Sequence, residues 1–441
     1  MDDTGVVALL SRLIRFDTTN HGHGRSAGET ACATWITDRL RQAGYAPVLL
    51  HRDDAPERGN VVVRVPGSDP SLPGLVVHGH LDVVPAVASE WSVDPFGGVV
   101  RDGYVYGRGA VDMKDMVACM LATLLAWAAT GTGPRRDTVL AFVADEEDAG
   151  QWGAAWLTAA HPELFTGCEA AIGEEGGQVY PTLAANGEMV RLYPVAVAER
   201  GTLHARLVTR GTPGHGSRPT GRDAVATLLA ALTRVQTHVW ARQVPDSVRA
   251  QVEAMSSALG YLVDVDDEAS FAAFCGAVGP ETAGPLPWTV RPSATVTMLS
   301  AGTKVNVIPS EASAEIDVRS PPGTFEQTRA TLLELVGPEV EIEIAAPSEP
   351  CESPVDSPWF DAMAQAIVEH DPEARVVPLC MGGGTDAKAF ASLGLLTYGF
   401  TPLGLDPEGR RPGGIHGIDE RNTVAGLEAG DRVLRRFLET V

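Results

Sequence analysis

Helical and strand patterns alternate through the first 190 residues of this 441-residue chain, change order from Gly201 to Ala345, and resume after Pro358. A pattern that stops and restarts points to one domain interrupted by another, and the length exceeds what a single ordinary core organises. The first part holds an amphipathic run from Glu29 to Ala43 and apolar strands at Asn60–Val65, Leu75–Gly79 and Thr138–Ala144. Between the last two strands, Asp115 to Ala129 reads as a buried helix, which predicts parallel strands joined by a crossover.

The middle part reads as strand Thr202–Arg210, helix Arg222–Thr237, strands Ala294–Leu299 and Ala312–Val318, helix Thr324–Val336 and strand Val340–Ala345. That order is a βαββαβ unit, a ferredoxin-like α+β arrangement. The segment Val239 to Pro287 interrupts it with helical patches such as Asp246–Leu259, and Ala346–Pro358, rich in Pro, Ser and Glu, reads as a linker. Helix Trp359–Glu369, strand Leu395–Phe400 and a helix from Asn422 to Leu438 then restore α/β patterning. The expected organisation is an α/β domain split into residues 1–197 and 347–441, with an α+β domain at 198–346 carrying the 239–287 insertion.

Acidic residues outnumber basic ones, 57 to 34, for a formal charge of −23. Such a field repels polyanions, so nucleic acid and anionic membrane surfaces are disfavoured partners. The start lacks a basic region followed by an apolar one, and no later stretch is long and apolar enough to span a bilayer, so a cytoplasmic enzyme is expected. Six cysteines lie far apart with no C-x-x-C pair. Reduced thiols are the expected state, and any metal would be held by histidines and carboxylates.

Several apolar runs end in such residues. Leu75–Gly79 runs into His80-Leu81-Asp82, at the strand end where open α/β sheets bind ligands. A His two residues before an Asp can offer one ring nitrogen to a metal while the carboxylate holds the ring, although His80 alone could be structural and His78 lies on the same face. In GRGAVDMKD, Asp112 follows a glycine turn before the buried helix and could bridge two cations; Asp115 is the better helix cap. Ala144-Asp145-Glu146-Glu147-Asp148 follows the strand Val139–Val143, where one Glu can bind metal while its neighbour takes a proton from water. Cys168–Gly173 ends in Glu174 and Glu175, and His416 lies near the C-terminus. Two histidines with three or four carboxylates suit a divalent metal, zinc first, with cobalt or manganese as alternatives.

The ordered motifs GHLDVVP, GRGAVDMKD, ADEED, EEGG, TPGHGSRP, KVNVIPSEASAEIDVR, GGGTDA and IHG span nearly the whole chain and resemble the two-zinc family of aminoacylase, acetylornithine deacetylase, succinyl-diaminopimelate desuccinylase and the carboxypeptidase G type. The resemblance implies a zinc-peptidase-like catalytic domain with an inserted lid and dimerisation domain, and two Zn²⁺ per subunit. It makes His80, Asp112 (the bridge), Glu147 and His416 metal ligands, with Glu175 taking the remaining position and Glu174 its rival. Asp82 becomes the orienter of His80 and Glu146 the general base. His215 would polarise the scissile carbonyl of a neighbouring subunit, while Asn306, Arg319, Gly383 and Gly384 would contact substrate. A cis peptide is implied at Asp112-Met113.

These roles describe hydrolysis of an N-acyl amino acid or small peptide with a free carboxylate, paired with Arg319. Aminoacylase and dipeptidase or carboxypeptidase chemistry share one site, and a metal-binding scaffold without turnover is the competing class. A homodimer follows if His215 acts across subunits; the 239–287 segment could enlarge that contact, or mimic a partner in a monomer.

Overall fold

A computed structural model describes residues 4–441. Ten strands form a mixed sheet in the order Val48–Leu50, Asn60–Val65, Thr138–Val143, Gly74–His80, Cys168–Gly173, Leu396–Gly399, Met189–Glu199 and Cys351–Glu352, with Ala374–Met381 and Tyr180–Leu183 also paired to Met189–Glu199. Gly74–His80 lies parallel to both Thr138–Val143 and Cys168–Gly173, and the last of these is parallel to Leu396–Gly399. Gly74–His80 and Thr138–Val143 are buried at every position, which is why Leu75–Val77 and Val139–Val143 are apolar without alternation. Helix Lys114–Thr130 supplies the crossover between them, buried through Leu124. Because these strands share direction, the residues after each of them meet at one edge.

The second sheet has four antiparallel strands in the order Ser293–Ala301, Glu311–Ser320, Gly201–Arg210 and Glu341–Ser348. This is the expected βαββαβ unit. Alternate residues of the Glu311–Ser320 strand, among them Ala314, Ile316 and Val318, are buried, because one face meets helices Ala224–Thr237 and Phe325–Val336. The chain crosses between sheets at Arg200 and at Glu349-Pro350, a few residues from the expected boundaries. Arg200 is buried there and donates Nη2 to Ser293 Oγ at 2.8 Å and to the Arg319 carbonyl at 3.1 Å, tying the crossing to two strands of the small sheet.

Three features differ from the sequence reading. Helix Asp246–Leu259, in the segment assigned to the small domain, packs on strands Ala374–Met381 and Met189–Glu199 of the large sheet. Its Val248, Val252, Met255 and Leu259, with Phe271, Phe274 and Leu286, belong to the large core. The long strands Met189–Glu199 and Ala374–Met381 were not expected, and each carries a proline, Pro194 and Pro378, that argues against an interior strand. The segment read as a linker is partly strand, since Cys351 and Glu352 pair with Glu199 and Ala198.

A small sheet of Val99–Arg101, Tyr104–Tyr106 and Arg421–Thr423 joins the C-terminal segment to the loop leading to Asp112. Among the described residues, no helix is long and apolar enough to cross a membrane, and all six cysteines are unpaired.

Candidate metal centre

Three parallel strands deliver His80, the Asp145–Asp148 turn and Glu174 to one edge, and the glycine turn before helix Lys114–Thr130 adds Asp112. His80 Nε2 lies 3.0 Å from Asp112 Oδ1, while His416 Nε2 lies 3.0 Å from Asp112 Oδ2 and 3.4 Å from Glu147 Oε1. The two oxygens of one carboxylate therefore face two different imidazoles. Glu146 Oε2 and Glu174 Oε2 approach His80 Nε2 at 4.0 and 3.9 Å. The peptide at Asp112-Met113 is cis.

The residues present fit a divalent metal. Ligand atoms of His80, Glu146 and Glu174 lie within 4.8 Å of one another, as do those of His80, Asp112 and Glu147. Glu174 Oε2 and Glu147 Oε1 are both buried without a hydrogen bond, the latter 3.4 Å from His416 Nε2. Two ionised carboxylates that close repel by roughly 3 kcal/mol even at an effective dielectric of about 20. Either protons or a cation must relieve this. Burial, and then repulsion from neighbours including Glu147 and Asp112, holds Glu146 well above the usual carboxylate range, and Glu174 is raised in the same way by burial and Glu146. Asp112 stays below its ordinary value despite burial, because His416 and His80 both bond to it; His416 is pushed up to about 10, chiefly by its bond to Asp112.

The structure places Glu174, and not Glu175, beside His80. Glu175 is the next residue, in a left-handed conformation with φ 72°. Consecutive side chains leaving a strand end point to different sides, so only one of this pair can face the cluster.

Asp82 also acts differently from the expectation. The His80 ring is held through Nδ1 by the Asp82 backbone carbonyl at 2.9 Å, with the nearer carboxylate oxygen at 3.6 Å. The Asp82 carboxylate instead accepts the Glu146 N–H at 3.1 Å, the Glu147 N–H at 3.2 Å and Asn20 Nδ2 at 2.9 Å. It orders the turn that presents both glutamates. Asp145 anchors that turn from behind through Arg58, Asn20 and the Trp152 N–H. Asp115 lies inside the first helical turn and not at the N-cap position, yet its buried carboxylate does satisfy one N–H of that turn, from Met116 at 2.7 Å, and also accepts Asn422 Nδ2 at 2.9 Å.

His78 is structural. Its ring stacks on Phe390 with centroids 4.6 Å apart, and burial, with His80 nearby, pushes its pKa down to about 3. An unfolded histidine titrates near 6.5, so between those values the unfolded chain binds a proton that the folded chain does not. This contribution is full above pH 6.5 and is lost as pH falls toward 3, by at most about 1.4 kcal/mol per pH unit. His78→Leu is expected to flatten that slope, seen as a smaller loss of denaturation free energy from pH 7 to pH 5 than in the parent. The ring also lies against Gly173, where an added Cβ would sit 2.2 Å from His78 Cε1. Gly173→Ala is expected to cost about 1–3 kcal/mol by overpacking, read as a lower melting temperature.

Arg319 holds Asp317 with two nitrogens and donates Nη1 to Thr202 Oγ1 at 3.0 Å. A Cβ at Gly384 would lie 3.8 Å from that hydroxyl and 2.4 Å from Lys388 Nζ, so Arg319, Gly384 and Lys388 come together near the crossing between sheets, and Gly383 is exposed beside them. Lys388 gave no signal in the sequence beyond its place after GGGTDA. Asp386 of the same loop is buried, and burial raises its carboxyl to about 8. His215 and Asn306 form a separate group: His215 pairs with Val307, Asn306 accepts the Gly216 N–H at 2.9 Å, and both are exposed. The hydrogen bonds recorded for the His215 side chain are to Ser217, and none joins it to the cluster.

A protein-family model described as Peptidase family M20/M25/M40 matches residues 76–440. The N-fatty-acyl-amino acid synthase/hydrolase PM20D1 of Mus musculus is 30% identical, covering 98% of this chain and 86% of its own length. Aminoacylase-1 of Pongo abelii is 26% identical over 92% of this chain and 89% of that one. In fold, an M20 family metallo-carboxypeptidase of Sulfolobus solfataricus superposes with a TM-score of 0.74 at 17% identity, covering 100% of this chain and 99% of that one. With the match running from within the strand that carries His80 to the last helix, the chain belongs to peptidase family M20/M25/M40 and is an amide-cleaving hydrolase of that family.

Proposed function

We propose that the protein is a two-metal amidohydrolase that releases an amino acid from an N-acyl amino acid or small peptide with a free carboxylate. The observation that carries this is Asp112, with its two oxygens 3.0 Å from two different histidines and Glu146 beside them. His80, Asp112 and Glu174 would hold one ion, and His416, Asp112 and Glu147 the other, with zinc favoured by the nitrogen and oxygen donors. The ions, when bound, supply a Lewis acid and an acidified water.

Glu146 takes the proton of the attacking water and returns it to the departing amine. Asp82 fixes its backbone by accepting the Glu146 N–H. Arg319 and Lys388 supply positive charge for the substrate carboxylate, with Gly383 and Gly384 leaving room for the backbone to approach it. Arg319→Met is expected to raise KM on the order of 10-fold or more with a smaller change in kcat, measured on a panel of acyl amino acids and dipeptides; an unchanged KM removes the assignment. The relatives favour the acylase reading, and the carboxypeptidase neighbour supports the peptidase alternative. The same panel separates them.

His215, with Asn306 in the turn just before the adjoining strand Val307–Ile308, is proposed to serve the site of a second copy, making the enzyme a homodimer through the four-stranded sheet. The exposed His215 and the edge strand Ser293–Ala301, with Met298 and Leu299 more than half exposed, support this. Mixing the inactive variants His215→Ala and Glu146→Gln under conditions of subunit exchange is then expected to restore about a quarter of parental activity, because half the dimers pair one intact site with one intact donor. No recovery sinks the exchange.

A further inference from the structure

The segment carrying His416 is brought to the cluster from the far end of the chain, and one buried ion pair fixes it there. Arg108 and Glu420 are 2% and 1% exposed, with Nη1 2.6 Å from Oε2. Oε2 also accepts the Gly109 N–H at 3.0 Å, and Oε1 accepts the N–H groups of Val111 at 2.8 Å and Asp112 at 3.1 Å. The Glu420 carbonyl takes the Gly107 N–H at 2.9 Å. On its other side, Arg108 Nη2 donates to the Gly417 carbonyl at 2.8 Å and the Pro85 carbonyl at 3.3 Å.

We infer that Arg108 and Glu420 are positioning residues that hold Asp112 and His416 in register, and so set the affinity of the metal site built from His416, Asp112 and Glu147. The inference rests on the two-metal reading above. Glu420 gathers the backbone of the Asp112 loop, ending on the Asp112 amide itself, so that carboxylate has little freedom to turn from either histidine. Arg108 closes the circuit by gripping the residue after His416. His416 stands in a left-handed conformation, φ 54°, on an otherwise exposed stretch, so its position depends on what the neighbouring residues are tied to. His80 comes from a fully buried strand and needs no such tie. Loss of the pair should therefore weaken one site more than the other.

Metal-free parent, Arg108→Lys, Glu420→Gln and, as a control, His416→Ala are titrated with Zn²⁺ against a competing chromophoric chelator, with circular dichroism and melting temperature followed on the metal-free chains. The expected result is two equivalents in the parent, and in both clamp variants a second equivalent weakened about 10- to 100-fold while the first changes much less. Turnover in these variants recovers as zinc is raised. A purely structural role lowers the melting temperature but leaves the ratio of the two affinities as in the parent, and an unchanged ratio in both variants overturns the inference alone. Fewer than two equivalents in the parent overturns the two-metal reading and the inference with it.

Discussion

Replacing Glu146 with glutamine is expected to lower kcat by about 10²–10⁴-fold while leaving the metal content of the protein unchanged. The substitution keeps the shape of the side chain and the backbone bond from residue 146 to Asp82, so the turn carrying Glu147 stays in place. What disappears is a group that can accept a proton beside His80 and give it up again. Steady-state kinetics together with elemental metal analysis make the check. Normal turnover removes Glu146 as the base; lost metal instead makes it a ligand, a role its place with His80 and Glu174 within 4.8 Å keeps physically open.

Stripping the divalent ions is expected to abolish turnover and to lower the melting temperature by several degrees. Each site at a free metal concentration of about 100 times its Kd contributes ~2.7 kcal/mol to the folded state. Without cations, the cluster must be relieved by protons. Burial and mutual repulsion raise the proton affinities of Glu146 and Glu174, and the bond to Asp112 pushes His416 up to about 10, so entering ions displace protons. Readdition of Zn²⁺ in weakly buffered solution should release protons, and the release should shrink at higher pH, where fewer remain to be displaced. Recovery of stability without any proton release would show that the cluster is ionised before the metal binds. A melting temperature indifferent to chelator and to metal would remove the metal centre altogether.

The candidate site is legible in the sequence largely because the large sheet carries its polar residues at its strand ends. A strand covered on both faces is dominated by apolar residues, so acids just past it stand out, as Glu146 and Glu147 do; His80 shares its buried strand with His78, and only the motif around it separates the two. The small sheet is legible by alternation, since only one of its faces meets helices. The insertion was assigned by position in the chain to the small domain, whereas its apolar residues find the larger core. Nothing in the spacing of Val248, Val252 and Met255 says which sheet their helix will cover.

Composition and residue order alone determined the alternating α/β frame, the βαββαβ unit within it and a donor set of histidines and carboxylates without thiolates. Tertiary structure alone decided between Glu174 and Glu175, gave the His80 ring to a backbone carbonyl so that the Asp82 carboxylate could order the glutamate turn, and joined Glu420 to the Asp112 loop. Local patterning reports which face of an element is apolar. Which polar atoms meet at an edge depends on strand register and on loops separated by hundreds of residues, and that information exists only once the chain has folded.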